Sequence, residues 1–93
     1  MEHIFENIEK EIISTLKFPS NEVLNEIHEI NDRNHNLQRA LALGNLEHSK
    51  IKIYFEDTIS KKMVETTIWG ITDKSIILKK GIEIPIHRIY KII

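Results

Sequence analysis

The spacing of apolar residues changes at Gly44, and this change constrains the fold more than any other feature of the chain. Before Gly44, apolar residues recur at intervals of three and four, which is the period of an amphipathic helix. After Gly44 they alternate with polar residues, as in half-buried strands. The 93 residues therefore predict an α+β protein with a helical arm over 1–45 and a sheet region over 46–93, packed as one compact domain.

The charges divide at the same position. Residues 1–45 carry eight acidic and four basic side chains, whereas residues 46–93 carry six acidic and nine basic ones. The formal net charge of -1 therefore conceals -4 in the first part and +3 in the second. We expect acidic helices to lie on a mildly basic sheet, either within one chain or between two copies.

The helical arm is predicted to contain two helices. The first ends at Phe18-Pro19, because the residue before a proline is disfavoured in the helical conformation. Its apolar stripe consists of Ile4, Phe5, Ile8, Ile12 and Leu16. The second helix begins at Ser20 and ends at Gly44-Asn45, where glycine favours a left-handed cap. Its heptad-spaced seam consists of Val23, Ile27, Ile30, Asn34, Leu37 and Leu41.

The asparagine in this seam has two interpretations. In a coiled coil, Asn34 would bond to its symmetry mate and fix the register of a dimer, at a cost in stability. Alternatively, the second helix packs within its own chain, against the first helix or the sheet, and Asn34 lies at the edge of the seam. Roughly three heptads are short for an independent coiled coil. A small isoleucine-rich chain nevertheless gains core by pairing, so we expect a homo-oligomer.

The second half is predicted to form five short antiparallel strands. The first strand alternates strictly, with Ile51, Ile53 and Phe55 on one face. Gly70 indicates a bend in a long second strand, and Pro85 marks a strand edge or end because proline cannot donate to a ladder. Five such strands, with one helical turn before the last, describe a small closed barrel.

The stretch KIYFED, followed by VETTIWGITDKSIILKKGIEIPIHRIYKI, resembles an SH3-like or Sm-like barrel. The ending IPIHRIYKI carries most of the resemblance, since such barrels finish with an Ile-Pro strand, a helical turn and an isoleucine-containing last strand. With its helices, the chain is similar to small uncharacterised bacterial proteins of the Bacteroidetes, a resemblance that implies a fold and no activity. Similarity to Sm-like proteins implies ring assembly and RNA binding, but the chain lacks the aspartate and asparagine signature of their RNA-contacting loops.

The sequence offers little for catalysis or cofactor binding. It has no cysteine, three glycines, no Gly-rich phosphate loop and no serine in a nucleophile motif. His28, Asp32 and His35 share a helix face with metal-ligand spacing, but a solvated helix face explains them without a metal. His87 and Arg88 are the remaining candidates for acid–base chemistry. We therefore predict no enzyme activity, no cofactor and no metal site.

One candidate surface in the second half is suited to nucleic acid. Lysines in turns, together with aromatic faces, favour binding of single-stranded nucleic acid, RNA in particular. The candidate residues are Tyr54, Lys61, Lys62, Trp69, Lys79, Lys80 and Arg88. Against this hypothesis, a sequence pI near 6.5 is far from the strongly basic balance of proteins that bind by neutralising phosphates. Lysines at strand edges also protect isoleucine-rich strands from aggregation.

A protein-interaction role requires fewer assumptions. Alternation places some apolar residues off the face that fills the barrel, so the helices or another chain must cover some apolar area. These residues are Tyr54, Ile59, Ile77 and either Ile68 or Trp69. Trp69 is expected to be a packing anchor under a helix, and the alternative is an exposed hot spot for a partner. We predict a non-enzymatic binding or assembly module that pairs with itself or with another protein. We expect no signal peptide and no membrane association, and a cysteine-free chain fits the cytoplasm.

Overall fold

The computed structural model describes residues 4–93, and the first three residues of the predicted arm lie outside this range. The described residues form one α-helix and seven short strands, an α+β arrangement. The helix and strands are, in chain order, β1 Glu6–Asn7, α1 Ile27–Glu47, β2 Ile51–Glu56, β3 Lys61–Thr66, β4 Ile68–Ile71, β5 Ser75–Leu78, β6 Glu83–Pro85 and β7 Ile89–Ile92. Short 3-10 helices cover Lys10–Thr15, Lys79–Gly81 and Ile86–Arg88.

The strands form two sheets. The four-stranded sheet has the order β1-β3-β2-β7, and the three-stranded sheet has the order β4-β5-β6. β1 pairs with β3 in parallel, whereas the other pairs are antiparallel. The register places Ile53 of β2 between Val64 of β3 and Ile92 of β7. β3 and β4 are consecutive except for Thr67, so one stretch of chain serves both sheets.

Both sheets and α1 contribute to a single apolar core. The alternation predicted for the strand over Ile51–Glu56 is confirmed, since Ile53 and Phe55 are fully buried while Lys52 is exposed. The core consists of Ile8, Ile13, Leu37, Ala40, Ile53, Phe55, Val64, Ile68, Ile76, Leu78, Ile84 and Ile89. Because residues from both halves of the chain share this core, the helix is part of the same packed unit as the sheets.

The prediction of a closed five-stranded barrel is wrong, because the strands belong to two separate sheets of four and three strands that do not close. The predicted long second strand is interrupted at Thr67, whose hydroxyl donates to the carbonyl of Ser49 at 3.0 Å. This anchor holds Thr67 against the end of α1, and the ladder is not continuous through it. The 3-10 turn Ile86–Arg88 likewise separates β6 from β7, which lie in different sheets.

The predicted first helix is also wrong. Its residues form β1, which pairs with Lys62 and Met63, and the 3-10 helix Lys10–Thr15. The hydroxyls of Ser14 and Thr15 donate to backbone carbonyls three residues earlier, which is the local competition that disfavours an α-helix. The apolar period was therefore misleading, because strand pairing and local side-chain bonds outweighed it.

The second predicted helix exists, but both of its ends were predicted wrongly. It begins at Ile27 rather than Ser20, because the preceding segment is held by tertiary bonds such as that from the Val23 N–H to the His87 carbonyl. It ends at Glu47, and His48 is the left-handed cap with φ of 56°. Gly44 lies inside the helix, where a Cβ would sit 2.5 Å from the Ile68 carbonyl oxygen. The sequence pattern predicted that this glycine ends the helix. Instead, it permits close approach of the helix to the sheet.

The buried face of α1 is offset from the predicted seam. Its buried residues are Arg33, Leu37, Ala40 and Gly44, which pack against the core of the same chain. Asn34 lies next to this face and is exposed. The seam had two interpretations, a dimer contact and packing within the chain. Within one chain, the helix packs on its own sheets. No helix in residues 4–93 combines the length and apolar character needed to cross a membrane.

Candidate functional site

Lys62, one of the candidate nucleic-acid residues, is the second residue of β3, and its side chain is buried against the turn between β2 and β3. Its Nζ lies 3.1 Å from each carboxylate oxygen of Asp57 and 2.8 Å from the Ser60 hydroxyl. Burial alone would raise the pKa of Asp57, but the N–H groups of Ser60 and Ile59 and the Lys62 ammonium outweigh this and hold it below its ordinary value. Lys62 therefore stabilises the hairpin and does not face a ligand.

Arg88, like Lys62, is buried and bonded to groups of its own chain. Its Nε donates to the Glu56 carbonyl at 3.1 Å, and its Nη1 donates to the Asn21 carbonyl at 2.9 Å. The neighbouring His87 has its Nε2 3.0 Å from the Pro19 carbonyl oxygen. Both side chains of the predicted acid–base pair thus bind the segment before α1, and Arg88 is used for structure.

Tyr54 and Lys61 belong to an aromatic cluster that is covered by the N-terminal segment. The ring of Phe5 packs edge-on against Tyr54 and Tyr90, with centroids 5.0 and 5.9 Å apart. The Lys61 ammonium lies 5.2 Å from the Tyr90 ring centroid. Burial and a hydrogen bond to the Glu56 carboxylate raise the pKa of Tyr90 to about 12. The stacking faces expected here are thus engaged by Phe5.

Trp69, Lys79 and Lys80 lie on the other sheet or at its end. Trp69 in β4 is 52% exposed, so the prediction that it anchors the core under a helix is wrong. Lys79 and Lys80 are exposed in the turn between β5 and β6. The seven predicted residues therefore do not form one surface, because Tyr54 and Trp69 belong to different sheets.

The six residues of the predicted seam are similarly dispersed. Val23 precedes α1, Ile27 is exposed at its first turn, and Leu37 is buried in the core. Ile30 and Leu41 are half-buried. A seam for a second chain along these positions would require Leu37 to leave its own core.

An ion pair between buried Arg33 and half-buried Glu22, which the sequence pattern did not reveal, fixes α1 in place. Arg33 is 4% exposed, and its Nη1 and Nη2 donate to the two carboxylate oxygens of Glu22 at 2.7 Å each. Nη1 also donates to the Ile89 carbonyl at 2.9 Å. Burial would raise the pKa of Glu22, but the hydrogen bonds from Arg33 and from the Leu24 N–H hold it below its ordinary value. Nothing in the spacing marks this pair, because both residues occupy ordinary polar positions.

An open cleft of about 570 Å³ lies beside this pair. It runs between α1 and the turn after β4, with Ile71, Asp73 and Lys74 on one side. Asp73 and Lys74 contribute opposite charges, and Arg33 is already neutralised by Glu22, so the cleft carries no excess charge. Its geometry favours no particular ionic ligand.

A second concavity, which we call the C-terminal groove, lies between α1 and the end of the chain. Its volume is about 220 Å³, and its lining consists of Asn36, Arg39, Ala40, Leu43, Ile51, Ile92 and Ile93. Leu43 and Ile93 at the rim are 42% and 68% exposed, and Leu46, one turn further along α1, is 80% exposed. Large apolar side chains are thus brought to solvent at one place by the helix and the last strand.

The histidine-containing helix face predicted as an alternative metal site is exposed. His28, Asp32 and His35 all point away from the buried face of α1. Within residues 4–93, no group of three or more His, Cys, Asp or Glu side chains has an arrangement suited to a metal ion.

Comparisons with known proteins identify no relative. No protein-family model, no curated protein and no solved structure matches this chain. The choice between functions therefore depends on the residues and geometry described above.

Proposed function

We propose that the protein is a non-enzymatic binding or assembly module that docks another polypeptide chain at the C-terminal groove and Leu46. The observation that carries this proposal is the cluster of exposed Leu43, Leu46 and Ile93 around the groove. A contiguous apolar patch on a small domain is typical of an interaction site, whereas isolated exposed apolar residues are not. Covering these side chains removes apolar area from water, which is favourable.

The use of the buried charges supports a module without catalysis. Arg33, Lys62 and Arg88 are each bonded to a carboxylate or a backbone carbonyl of the same chain. Charged groups that act in catalysis face a cleft in which substrate can reach them. Here these buried cations hold loops and strands in place instead, and Arg33, which lines the open cleft, is bonded to Glu22.

The experiment that tests this function uses a photo-crosslinking amino acid placed at position 46 or position 45. Leu46 belongs to the patch, whereas Asn45 is exposed on a different face of the same helix turn. After irradiation of cells that produce the full chain, we expect covalent adducts with polypeptide from position 46 and few from position 45. Equal yields from both positions, or no adduct from either, would contradict docking at this patch.

A second candidate function is binding of single-stranded nucleic acid at the outer face of the three-stranded sheet. Half-exposed Trp69 on β4 and exposed Lys79 and Lys80 at the end of β5 are the observation that favours it. Aromatic stacking combined with lysine is the usual means of binding such strands. We expect an affinity for labelled single-stranded RNA that falls steeply with salt if this candidate is correct, and no binding at low salt if it is not.

A further inference from the structure

We infer that the chain docked at the C-terminal groove is a second copy of the same protein, with two α1 helices packed antiparallel about a two-fold axis at Leu43. This inference rests on the proposed function and identifies its partner. In such a pair the same patch is used by both copies, so the patch must complement itself. The shape and charge of this helix face can each be checked against that requirement.

The shapes of the facing residues match. With the axis at Leu43, residues equally far on either side of it face each other across the interface, so Leu46 of one copy lies opposite Ala40 of the other. Leu46 protrudes from the helix and is 80% exposed, whereas Ala40 is short, 5% exposed and lines the groove where it borders the buried face of α1. A leucine from each copy thus enters the space above an alanine of the other, as in knobs-into-holes packing. Leu43 meets its own symmetry mate at the centre.

The charges of the facing residues match as well. Arg39 lines the groove and lies one helical turn before Leu43, and Glu47 lies one turn after it on the same face. Antiparallel packing places Arg39 of each copy opposite Glu47 of the other and forms two ion pairs around the leucines. Parallel packing would instead place Arg39 beside Arg39 and Glu47 beside Glu47, which is repulsive. Charge therefore selects the antiparallel orientation and a second copy.

The contact is small, since it uses about three turns of helix and the chain end on each side. Interfaces at the small end of the range associate weakly and reversibly. We therefore expect an average mass that rises with concentration from that of one chain toward that of two. The ion pairs should make this association weaker at high salt.

The test compares charge reversals by sedimentation equilibrium. R39E and E47R should each weaken the dimer at least about tenfold, because each places like charges opposite each other. The double variant R39E/E47R should restore it, and mixing the two single variants should give a heterodimer with both ion pairs restored. N45E adds a negative charge outside the patch and should leave association unchanged. Arg39 and Glu47 are both exposed, and circular dichroism verifies that every variant is folded.

Each other outcome has a definite meaning. A dimer that ignores the charge reversals would overturn the antiparallel register. A chain that stays monomeric at every concentration would overturn the inference of a second copy, while adducts of a different mass from position 46 would leave the proposed function in place. Monomers without any adduct from position 46 would overturn both.

Discussion

Two faces of α1 have residues at the same helical spacing, but one face is buried and the other is exposed. The inner face, defined by Arg33, Leu37, Ala40 and Gly44, is buried and contains a charged residue, an alanine and a glycine. The outer stripe carries Leu43 and Leu46, which are exposed. From composition alone, the leucine stripe would be predicted to be buried and the face with the arginine to be exposed. The comparison teaches that burial in this helix follows the partner available to each face, since Arg33 is buried only because Glu22 and the Ile89 carbonyl bind it.

The largest expected effect concerns the charge on the inner face. Glu22→Gln should lower the free energy of unfolding by about 3 to 4 kcal/mol, because it leaves the buried guanidinium of Arg33 without its counter-charge, although the Glu22 side chain is itself 30% exposed. Urea unfolding measures the loss, and Glu83→Gln at an exposed position of β6 should change stability by less than about 0.5 kcal/mol. Adding Arg33→Met to Glu22→Gln should recover most of the loss. If the single variant is as stable as the Glu83 control, the buried pair does not hold the inner face.

Truncating one leucine on each face sharpens the comparison directly. Leu37→Ala should cost about 3 kcal/mol, because it creates a cavity in the core. Leu46→Ala should change the unfolding free energy of the monomer by less than about 0.5 kcal/mol, since the side chain is exposed. In sedimentation experiments Leu46→Ala should nevertheless weaken self-association. Equal destabilisation by the two truncations would mean that the faces do not differ as described.

A smaller effect is expected from steric crowding at the helix–sheet contact. Gly44→Ala should destabilise the protein by about 2 kcal/mol, because its Cβ would lie 2.5 Å from the Ile68 carbonyl oxygen and backbone must move. This loss should appear despite the better helix propensity of alanine. Asn45→Ala on the exposed side is the matched control and should be neutral or slightly stabilising in thermal unfolding. Stabilisation by Gly44→Ala would show that the contact is not tight.

The last and smallest predicted effect is the loss of stability as the pH is lowered. The pKa values of Glu22 and Asp57 are held below their ordinary values of 4.5 and 3.8 in the folded protein. Their contribution to stability is therefore fully present above those values and is lost as the pH falls through the lower folded-state pKa values. Urea midpoints measured from neutral pH down to about pH 2 should fall in this window. The urea midpoints of Glu22→Gln and Asp57→Asn should each decrease less steeply with falling pH than those of the unmodified protein. Curves that run parallel to that of the unmodified protein would contradict the lowered pKa values.

The site was less predictable than the core. Sequence alternation correctly placed Ile53 and Phe55 inside, because a strand with one buried face leaves a strict pattern. The candidate surface failed because a lysine or arginine has the same appearance in sequence whether it faces solvent, as Lys79 does, or a buried carboxylate, as Lys62 does. The exposed leucines of α1 went unnoticed for the opposite reason, since apolar residues at helical spacing are ordinarily core.

The sequence by itself determined that a helix precedes the strands of the second half, that the change of period lies near Gly44, and that Ile53 and Phe55 of β2 are buried. Each of these depends on local periodicity, which is written into neighbouring residues. Only the tertiary structure decided that the N-terminal segment is a strand and a 3-10 helix, that Thr67 divides the strands between two sheets, and that Arg33 is interior. These outcomes depend on partners far away in the chain, such as Met63 for Ile8 and Glu22 for Arg33, and local spacing carries no information about them.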